Sequence, residues 1–359
     1  MAKYEPHRFP WKWNLLDGYP AKGIEPHNSL VFGTFACGGG SSMGYKLAGF
    51  HHLGGVEIDQ KVAETYKLNH HPELFFTEDL RDFNKRTDLP DILYHLDMLD
   101  GSPPCTTFST AGNRDKVWGK EKHFAEGQKM QTLDDLVFVY CDTILKLRPK
   151  CFLLENVSGL IKGNAKSYAK RIVDYLTENG YTVQLFLLNA ATMGVPQRRE
   201  RTFFVGHKSE YHLPKLKLNF NEKPITFSEV EDKEGEHPIL TTEYTENIWK
   251  NRKYGDCDFG NVTKRLYGKV SGFTRTFLYR NQVVPTFTTY VKNTVLFHKP
   301  CRINETEIKS ISTFPQDYQS PTKDIGWLCG MSVPPVMMAQ VSYQIYLQWI
   351  KKINSNNNG

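Results

Sequence analysis

Short apolar runs and helical repeats alternate along the first half of the chain. Six apolar, β-rich runs predict strands at Leu30–Phe35, Leu53–Ile58, Asp97–Leu99, Cys151–Leu154, Tyr181–Leu188 and Thr202–Val205. Between them, the clearest helical repeat covers Leu133–Leu147, where apolar residues recur three and four positions apart. This alternation predicts an α/β fold in which helices cover both faces of a parallel sheet.

The pattern changes after Gly206. Residues 222–246 are acidic and show few strong elements, whereas residues 250–280 interleave basic with aromatic side chains. Apolar residues return at helical spacing within Gly326–Ile350, which predicts a helix that packs back on the sheet. The basic and aromatic stretch is typical of a nucleic-acid-binding surface, and a solvated surface is the alternative interpretation.

Length and charge restrict the possible organisation. A chain of 359 residues is long enough for one large core and a smaller second unit. We expect a catalytic unit of residues 1–220, completed by 322–359, and an inserted unit of residues 221–321. The formal charge of +6 and the pI near 8.7 are compatible with a polyanionic partner.

Apolar-run length and cysteine spacing bear on location and cofactors. No uninterrupted apolar run approaches the roughly 20 residues that span a bilayer, and Met1–Pro6 is polar. We therefore expect a soluble cytoplasmic protein with no membrane partner. The seven cysteines are scattered without a Cys-x-x-Cys pair, so we expect neither disulfides nor a metal site.

A glycine-rich turn follows the first predicted strand. Gly38, Gly39 and Gly40 lie where glycines allow a ligand to approach the backbone closely. Glu57 ends the second predicted strand, at the position where an acid hydrogen-bonds a ribose diol. The dinucleotide pattern Gly-x-Gly-x-x-Gly is not met because Met43 occupies its last position, which argues against a nicotinamide oxidoreductase. Taken alone, the turn is also compatible with an ordinary tight turn.

Three later motifs bring together a thiol, a carboxyl and guanidinium groups. Cys105 follows an apolar run and a Pro-Pro step, and Glu155 follows the apolar run Cys151–Leu154. Partial burial would favour the protonated form of that carboxyl. Arg199 and Arg201 would project to one face of a strand and could hold a base oxygen, a phosphate or Glu155. A buried small cysteine, a helix-capping acid and a solvated charge run are the respective alternatives.

In this order, the motifs resemble those of the cytosine-C5 DNA methyltransferases, from about Leu30 to Tyr346. The resemblance implies a Rossmann-like, S-adenosylmethionine-dependent methyltransferase domain with a smaller target-recognition domain inserted before the C-terminal return. It implies that the target cytosine is flipped out of double-stranded DNA. Cys105 would then add to C6 and Glu155 would assist at N3, with Arg199 and Arg201 completing the catalytic set.

The resemblance also implies two sets of contact residues. The expected cofactor contacts are Phe35, Ala36, Gly38, Gly39, Gly40, Glu57, Ile58, Asp79, Leu80, Pro104, Ser332 and Val333. The expected DNA contacts are Ser109, Arg114, Lys116, Gln197, Lys264, Arg265 and Arg275. Two positions depart from the family motifs, because Cys37 stands where a glycine is usual and Met331 where an asparagine is usual.

The expected function is a sequence-specific DNA (cytosine-5-)-methyltransferase that acts as a monomer in a bacterial or phage-infected cell. It would be solitary or paired with a restriction endonuclease, without forming a stable complex with it. A tRNA cytosine-C5 methyltransferase is an alternative, although the Cys-Phe-Thr motif of those relatives is missing here. A catalytically inactive DNA-binding relative is another, against which the intact Cys105, Glu155 and Arg201 argue.

Overall fold

The computed structural model describes residues 4–104, 136–161, 166–270 and 275–356. Its first eight strands are β1 (Leu30–Thr34), β2 (His51–Val56), β3 (Leu74–Phe76), β4 (Met98–Gly101), β5 (Cys151–Val157), β6 (Tyr181–Asn189), β7 (Gln197–Arg198) and β8 (Glu200–Lys208). All except β7 join a seven-stranded sheet in the order β3-β2-β1-β4-β5-β8-β6. The predicted α/β class is confirmed, and all six predicted strands lie side by side in this sheet, as β2, β1, β4, β5, β8 and β6.

The sheet is mixed rather than purely parallel. Strands β1 to β5 run parallel, whereas β8 is antiparallel to both of its neighbours, β5 and β6. The prediction of a parallel sheet is wrong for β8. The connection 190–199 between β6 and β8 is too short for a crossover, which needs a dozen residues or more, so the chain turns back beside β6. The sequence prediction also omitted β3, which is only three residues long.

Helices cover both faces of this sheet, as predicted. The α-helices of the described residues are α1 (Gly40–Leu47), α2 (Gln60–His70), α3 (Leu80–Lys85), α4 (Leu136–Leu147), α5 (Lys166–Glu178), α6 (Phe227–Val230), α7 (Glu243–Lys250), α8 (Phe259–Tyr267), α9 (Glu305–Ile311), α10 (Ile325–Met331), α11 (Pro335–Ile345) and α12 (Lys351–Asn356). Helices α1 and α11 pack on one face with Val31 and Leu153. Helices α3, α4 and α5 pack on the other with Phe32 and Leu154. Because both faces are buried, the strands read as continuous apolar runs.

The C-terminal return is divided, not one continuous helix. Helix α10 ends at Met331 and α11 begins at Pro335, while residues Tyr346–Ile350 form a π-helical turn before α12. Pro334 and Pro335 account for the break, because proline lacks the N–H of a helix interior but fits the first helical position. Residues 332–334 are therefore free to cross the turn that follows β1. No helix in the described part of the chain is long and apolar enough to cross a membrane.

A small separate core lies in the region after β8. It is formed by Leu240, Ile248, Phe259, Val262, Phe277 and Val295, which are all buried. Strands β9 (Thr276–Leu278) and β11 (Thr294–Leu296) pair in parallel there, and β10 (Val284–Pro285) pairs instead with β7. Phe227, Ile308 and Phe314 pack in the core of the large sheet. The boundaries of the inserted unit, residues 221–321, stay a prediction.

The segment before β1 packs across the ends of several later elements. Phe9 and Trp13 are buried in the core of the large sheet, and Trp13 Nε1 donates to Thr313 O over 2.9 Å. The buried Glu222 carboxylate accepts the Arg8 backbone N–H over 3.1 Å and also contacts Gln340. This segment therefore fastens the start of the chain to its last third.

Candidate active site

The ends of four strands meet at one edge of the large sheet. The carboxyl ends of β1, β4 and β5 lie there because those strands are parallel, and this is where open α/β sheets bind ligands. The amino end of β8 reaches the same edge because that strand is antiparallel. Its register sets Arg201 opposite Val157, two residues beyond Glu155.

Glu155 and Arg201 form a buried ion pair at this edge. The Arg201 Nε atom lies 2.8 Å from Glu155 Oε1, and the two side chains are 13% and 8% exposed. Burial lowers the pKa of Arg201, and the neighbouring Glu155 carboxylate opposes that shift. A guanidinium in this position fixes the carboxyl in one orientation. The structure thus brings together two of the four predicted catalytic residues.

Asn156 fixes the loop that leads to Cys105. Its Nδ2 donates to Pro103 O over 3.2 Å, and its Oδ1 accepts the Val157 N–H over 2.8 Å. The loop after β4 is therefore tied to the end of β5, beside Glu155. Asn156 was not among the predicted site residues, although its place directly after Glu155 was a usable signal. Pro104 is partly exposed at the end of the described segment.

Four predicted residues lie outside the described part of the chain. They are the expected nucleophile and three expected DNA contacts: Cys105, Ser109, Arg114 and Lys116.

Arg199 has different partners from Arg201. It lies between β7 and β8, outside both strands, and is 1% exposed. Its Nη1 donates to Phe287 O over 3.0 Å, and its Nη2 donates over 2.9 Å each to the carbonyls of Gly330 and Ser332. Arg199 therefore ties the segment after β10, at Phe287, to the end of α10 and to Ser332 just beyond it.

Gln197 lies inside the same junction. It is 1% exposed, and its Oε1 accepts the Phe287 N–H over 3.3 Å, while β7 pairs with β10. The contact predicted between Gln197 and DNA stays a prediction, and in this structure the Gln197 side chain is buried against Phe287. The motif containing Gln197 and Arg199 thus holds together parts of the chain that are far apart in sequence.

The turn after β1 has an unusual backbone. Phe35, Cys37 and Gly39 all have a positive φ, of 55°, 46° and 75°. This left-handed region costs a residue with a side chain about 1–2 kcal/mol and favours glycine. Cys37 occupies it nevertheless, with its Sγ 3.7 Å from Ser332 Oγ, and burial raises its pKa to about 12. The departure at Cys37 therefore falls where the backbone itself favours glycine.

Two glycines of this turn are required because neighbouring residues leave no room for a side chain. A Cβ atom on Gly39 would lie 2.0 Å from His70 Nε2, and one on Gly40 would lie 2.1 Å from Val333 O. The sequence interpretation gave ligand approach as the reason for these glycines, and the structure adds a different one. The segment containing Ser332 and Val333, both buried, lies directly on the turn. These predicted cofactor residues are therefore assembled in one place.

Glu57 lies beside the turn and holds its backbone. Its Oε2 accepts the Cys37 N–H over 2.8 Å and its Oε1 accepts the Asp59 N–H over 2.9 Å. Burial raises the pKa of Glu57. Each carboxylate oxygen has a further lone pair, so the group fits the ribose diol of S-adenosylmethionine. Ala36 donates its N–H to Val56 O over 3.0 Å, and Ile58 is 39% exposed.

Asp79 and Leu80 have structural contacts. Asp79 is the N-cap of α3 and accepts the Arg81 N–H over 2.8 Å, with the Arg81 guanidinium nearby. Leu80 is buried among the apolar residues under α3. Their predicted contacts with the cofactor stay predictions.

The basic residues of the inserted region differ in their availability. Lys264 is exposed at the end of α8. Arg265 donates through both Nη atoms to Asp256, over 2.9 Å each. Arg275 is partly buried, and burial lowers its pKa. Of the three predicted DNA contacts here, Lys264 offers the most accessible charge.

Asp100 is a further residue of this edge that the sequence interpretation missed. It is the third residue of the four-residue strand β4 and is 3% exposed, and it accepts a hydrogen bond from Tyr45 Oη over 3.3 Å. Burial raises its pKa from 3.8 to about 8, with the Glu155 charge adding to the rise. The available signal was an acid near the end of an apolar run, two residues before Ser102 and the Pro-Pro step.

The family model for C-5 cytosine-specific DNA methylases matches residues 31–347, which is most of the chain. This chain belongs to that family. Curated relatives within it are Type II methyltransferases. M1.HphI of Haemophilus parahaemolyticus is 26% identical over 90% of this chain and 86% of its own length. M.DdeI of Desulfomicrobium norvegicum is 29% identical over 66% of this chain, and the match spans only 57% of that relative.

Solved structures of C5 methyltransferases share the fold. A prophage-encoded protein of Escherichia coli, described as a DNA modification methyltransferase, aligns with a TM-score of 0.64 and 19% identity. The match covers 89% of this chain and 99% of that one. The Spodoptera frugiperda DNMT2 aligns with a TM-score of 0.63 and 16% identity, over 89% of this chain and all of that one. The predicted Rossmann-like methyltransferase fold is confirmed.

Proposed function

We propose that this protein is a DNA (cytosine-5-)-methyltransferase that uses S-adenosylmethionine. The observation that carries the proposal is the Glu155–Arg201 pair, which lies at the sheet edge where Asn156 holds the loop leading to Cys105. Family membership and the Type II methyltransferase relatives support a DNA substrate. Their names also support a sequence-specific activity, either paired with a restriction endonuclease or solitary.

The proposed reaction begins with Cys105. C5 of cytosine is too weakly nucleophilic to be methylated directly, so the thiolate adds to C6 and the 5,6 electrons become available at C5. Bound S-adenosylmethionine supplies the methyl group. The C5 proton then passes to solvent, the C5–H electrons restore the 5,6 double bond, and the C6–S bond breaks so that its electrons return to the thiolate. The target cytosine must leave the duplex stack for any of these steps.

Glu155 and Arg201 assist the addition from the opposite side of the ring. In the proposed mechanism, Glu155 holds a proton at N3, which draws electron density away from C6. Arg201 fixes the orientation of the Glu155 carboxyl through the 2.8 Å contact. It also balances the charge when that carboxyl gives up its proton. Excluding water from this buried edge strengthens both contacts.

The proposed cofactor contacts surround the turn after β1. Glu57 binds the ribose diol, while the Ser332–Val333 segment closes over the turn that Gly38 to Gly40 form. Lys264 contributes to contacts with duplex phosphates from the inserted region, residues 221–321. We propose that the protein acts as a monomer, since the edge holds both halves of the proposed site within one chain.

Bisulfite sequencing tests the proposed function directly. The wild-type protein and a Cys105→Ala variant are expressed in a host without cytosine methylation. We expect protected cytosines at one short recurring sequence with the wild type and none with the variant. The variant should still retard duplex DNA in a gel-shift assay, because DNA binding does not need the thiol.

Two results would contradict the proposal. Protection of the same cytosines by Cys105→Ala would remove Cys105 from the role of nucleophile. Absence of protection by soluble wild-type protein that binds S-adenosylmethionine would favour a tRNA substrate or a docking role. Transfer of a labelled methyl group to tRNA or to duplex DNA distinguishes those two.

A further inference from the structure

Asp100 is a buried carboxyl that has no cationic partner in the described part of the chain. It is 3% exposed, and among the residues that the structure describes it forms no ion pair. Its hydrogen-bond donors are the neutral hydroxyl groups of Tyr45 and Ser41, both on α1. An uncompensated buried acid is costly when ionised. Such groups are concentrated where a functional partner binds.

The groups that face Asp100 keep it neutral in the free protein. Tyr45, Tyr66 and Tyr140 surround it from α1, α2 and α4, and burial raises the pKa of all three, so they remain uncharged. Glu155 on β5 adds a repulsive negative charge, although it is itself paired with Arg201. The pKa of Asp100 is raised to about 8 by these surroundings, with burial as the main cause.

Asp100 lies directly beneath the turn proposed to bind the cofactor. Its backbone carbonyl accepts Thr34 Oγ1 over 3.1 Å, at the end of β1. Ser41, its second donor, follows Gly40, whose hydrogen faces Val333 O. The carboxyl is thus enclosed by the ends of β1 and β4 and by the first turn of α1. A charge that arrives at this turn is screened little by water.

We propose that Asp100 is a counter-ion site for a cationic cofactor, protonated in the free protein and ionised when a sulfonium ligand binds at residues 35–40. The inference rests on the proposed function, because that function supplies the ligand. Binding then breaks the Asp100 O–H bond and releases the proton to solvent. The positively charged methyl donor is favoured over its demethylated product, which has lost the sulfonium charge.

Isothermal titration calorimetry tests this proposal without measuring catalysis. S-adenosylmethionine is titrated into the wild type and into Asp100→Asn at pH 7, in buffers of different ionisation enthalpy. We expect the wild type to release close to one proton per site and the variant to release almost none. The wild-type affinity should rise nearly tenfold between about pH 6 and 7 and level off above about pH 8, whereas that of Asp100→Asn should stay flat.

Two further titrations guard against a misfolded variant and a non-specific effect. Tyr45→Phe removes one neutral donor and leaves the carboxyl in place, so it should still release a proton. S-adenosylhomocysteine, the product without the sulfonium charge, should release less than the methyl donor in the wild type. Asp100→Asn should narrow the difference in affinity between these two ligands by about tenfold or more.

The outcomes separate this inference from the proposed function. Binding with the same proton release in wild type and Asp100→Asn would overturn the inference and leave the proposed function intact. Equal proton release by the two ligands would overturn it as well. A wild-type protein that binds no S-adenosylmethionine would overturn the proposed function and this inference together.

Discussion

Replacing Arg199 by methionine should destabilise the protein severely, whereas the same change at Arg198 should not. The Arg199 guanidinium donates to three backbone carbonyls, from Phe287, Gly330 and Ser332. The neighbouring Arg198 is exposed. The two variants lose the same formal charge, so the difference between them measures the buried contacts.

The expected magnitude follows from those three bonds. A hydrogen bond to a charged group contributes about 1.5–3 kcal/mol, and an orphaned buried carbonyl costs a similar amount. The cost of burying the guanidinium offsets part of this, since burial lowers the pKa of Arg199 well below its usual range. We expect a net loss of about 5 kcal/mol for Arg199→Met. A change at an exposed arginine stays within about 0.5 kcal/mol.

Urea unfolding, followed by circular dichroism, measures both variants. The free energy of unfolding of an ordinary domain is about 5–15 kcal/mol, so the loss expected for Arg199→Met is a large part of the total. Arg199→Lys is therefore included as a milder change. It keeps the charge but loses the planar fork, so an intermediate loss is expected. If the free energies of unfolding of Arg199→Met and Arg198→Met differ by less than about 1 kcal/mol, the three contacts do not stabilise the junction. A methylation defect in such a stable variant would then indicate a direct catalytic role.

Three further changes test separate parts of the site. Glu155→Gln should slow methyl transfer in single-turnover assays by roughly 10²–10⁴-fold, as expected when a general acid is lost, and a near-normal rate would make Glu155 structural. Cys37→Gly should keep or improve affinity for S-adenosylmethionine in calorimetric titration, because φ at this position is +46°, and a clear loss would contradict the motif alignment. Lys264→Glu should reduce the slope of log DNA affinity against log salt concentration by about the amount that one phosphate contact contributes. Lys352 is exposed on α12, and Lys352→Glu should leave that slope unchanged.

The local pattern of the chain predicted elements better than it predicted their pairing. Apolar runs located β1, β5 and β6 at their first residues, because burial on both faces leaves a continuous hydrophobic signal. The direction of β8 was not predictable from its own residues, since it depends on the length of the preceding connection. That direction matters, because it brings Arg201 to Glu155.

The candidate site shows the same division between local and distant information. The motifs identified Glu155, Arg201 and Glu57, which their own strands bring to the sheet edge. The burial of Gln197 depends on Phe287, which is 90 positions away in sequence. No local pattern contains such a contact. Asp100 was overlooked for a similar reason, because its significance depends on which described residues lie near it in space, and none of those pairs with it as a cation.

The contacts between distant parts of the chain affect how the protein is made. Trp13 bonds to Thr313, and α1 packs so closely on α11 that a Cβ on Gly44 would lie 2.5 Å from that of Met338. During synthesis on the ribosome, the apolar faces of these early elements stay uncovered until residues about 300 positions later have been made. A stalled or truncated nascent chain would therefore expose apolar surface to which chaperones bind. Release of an active enzyme is coupled to completion of its last helices.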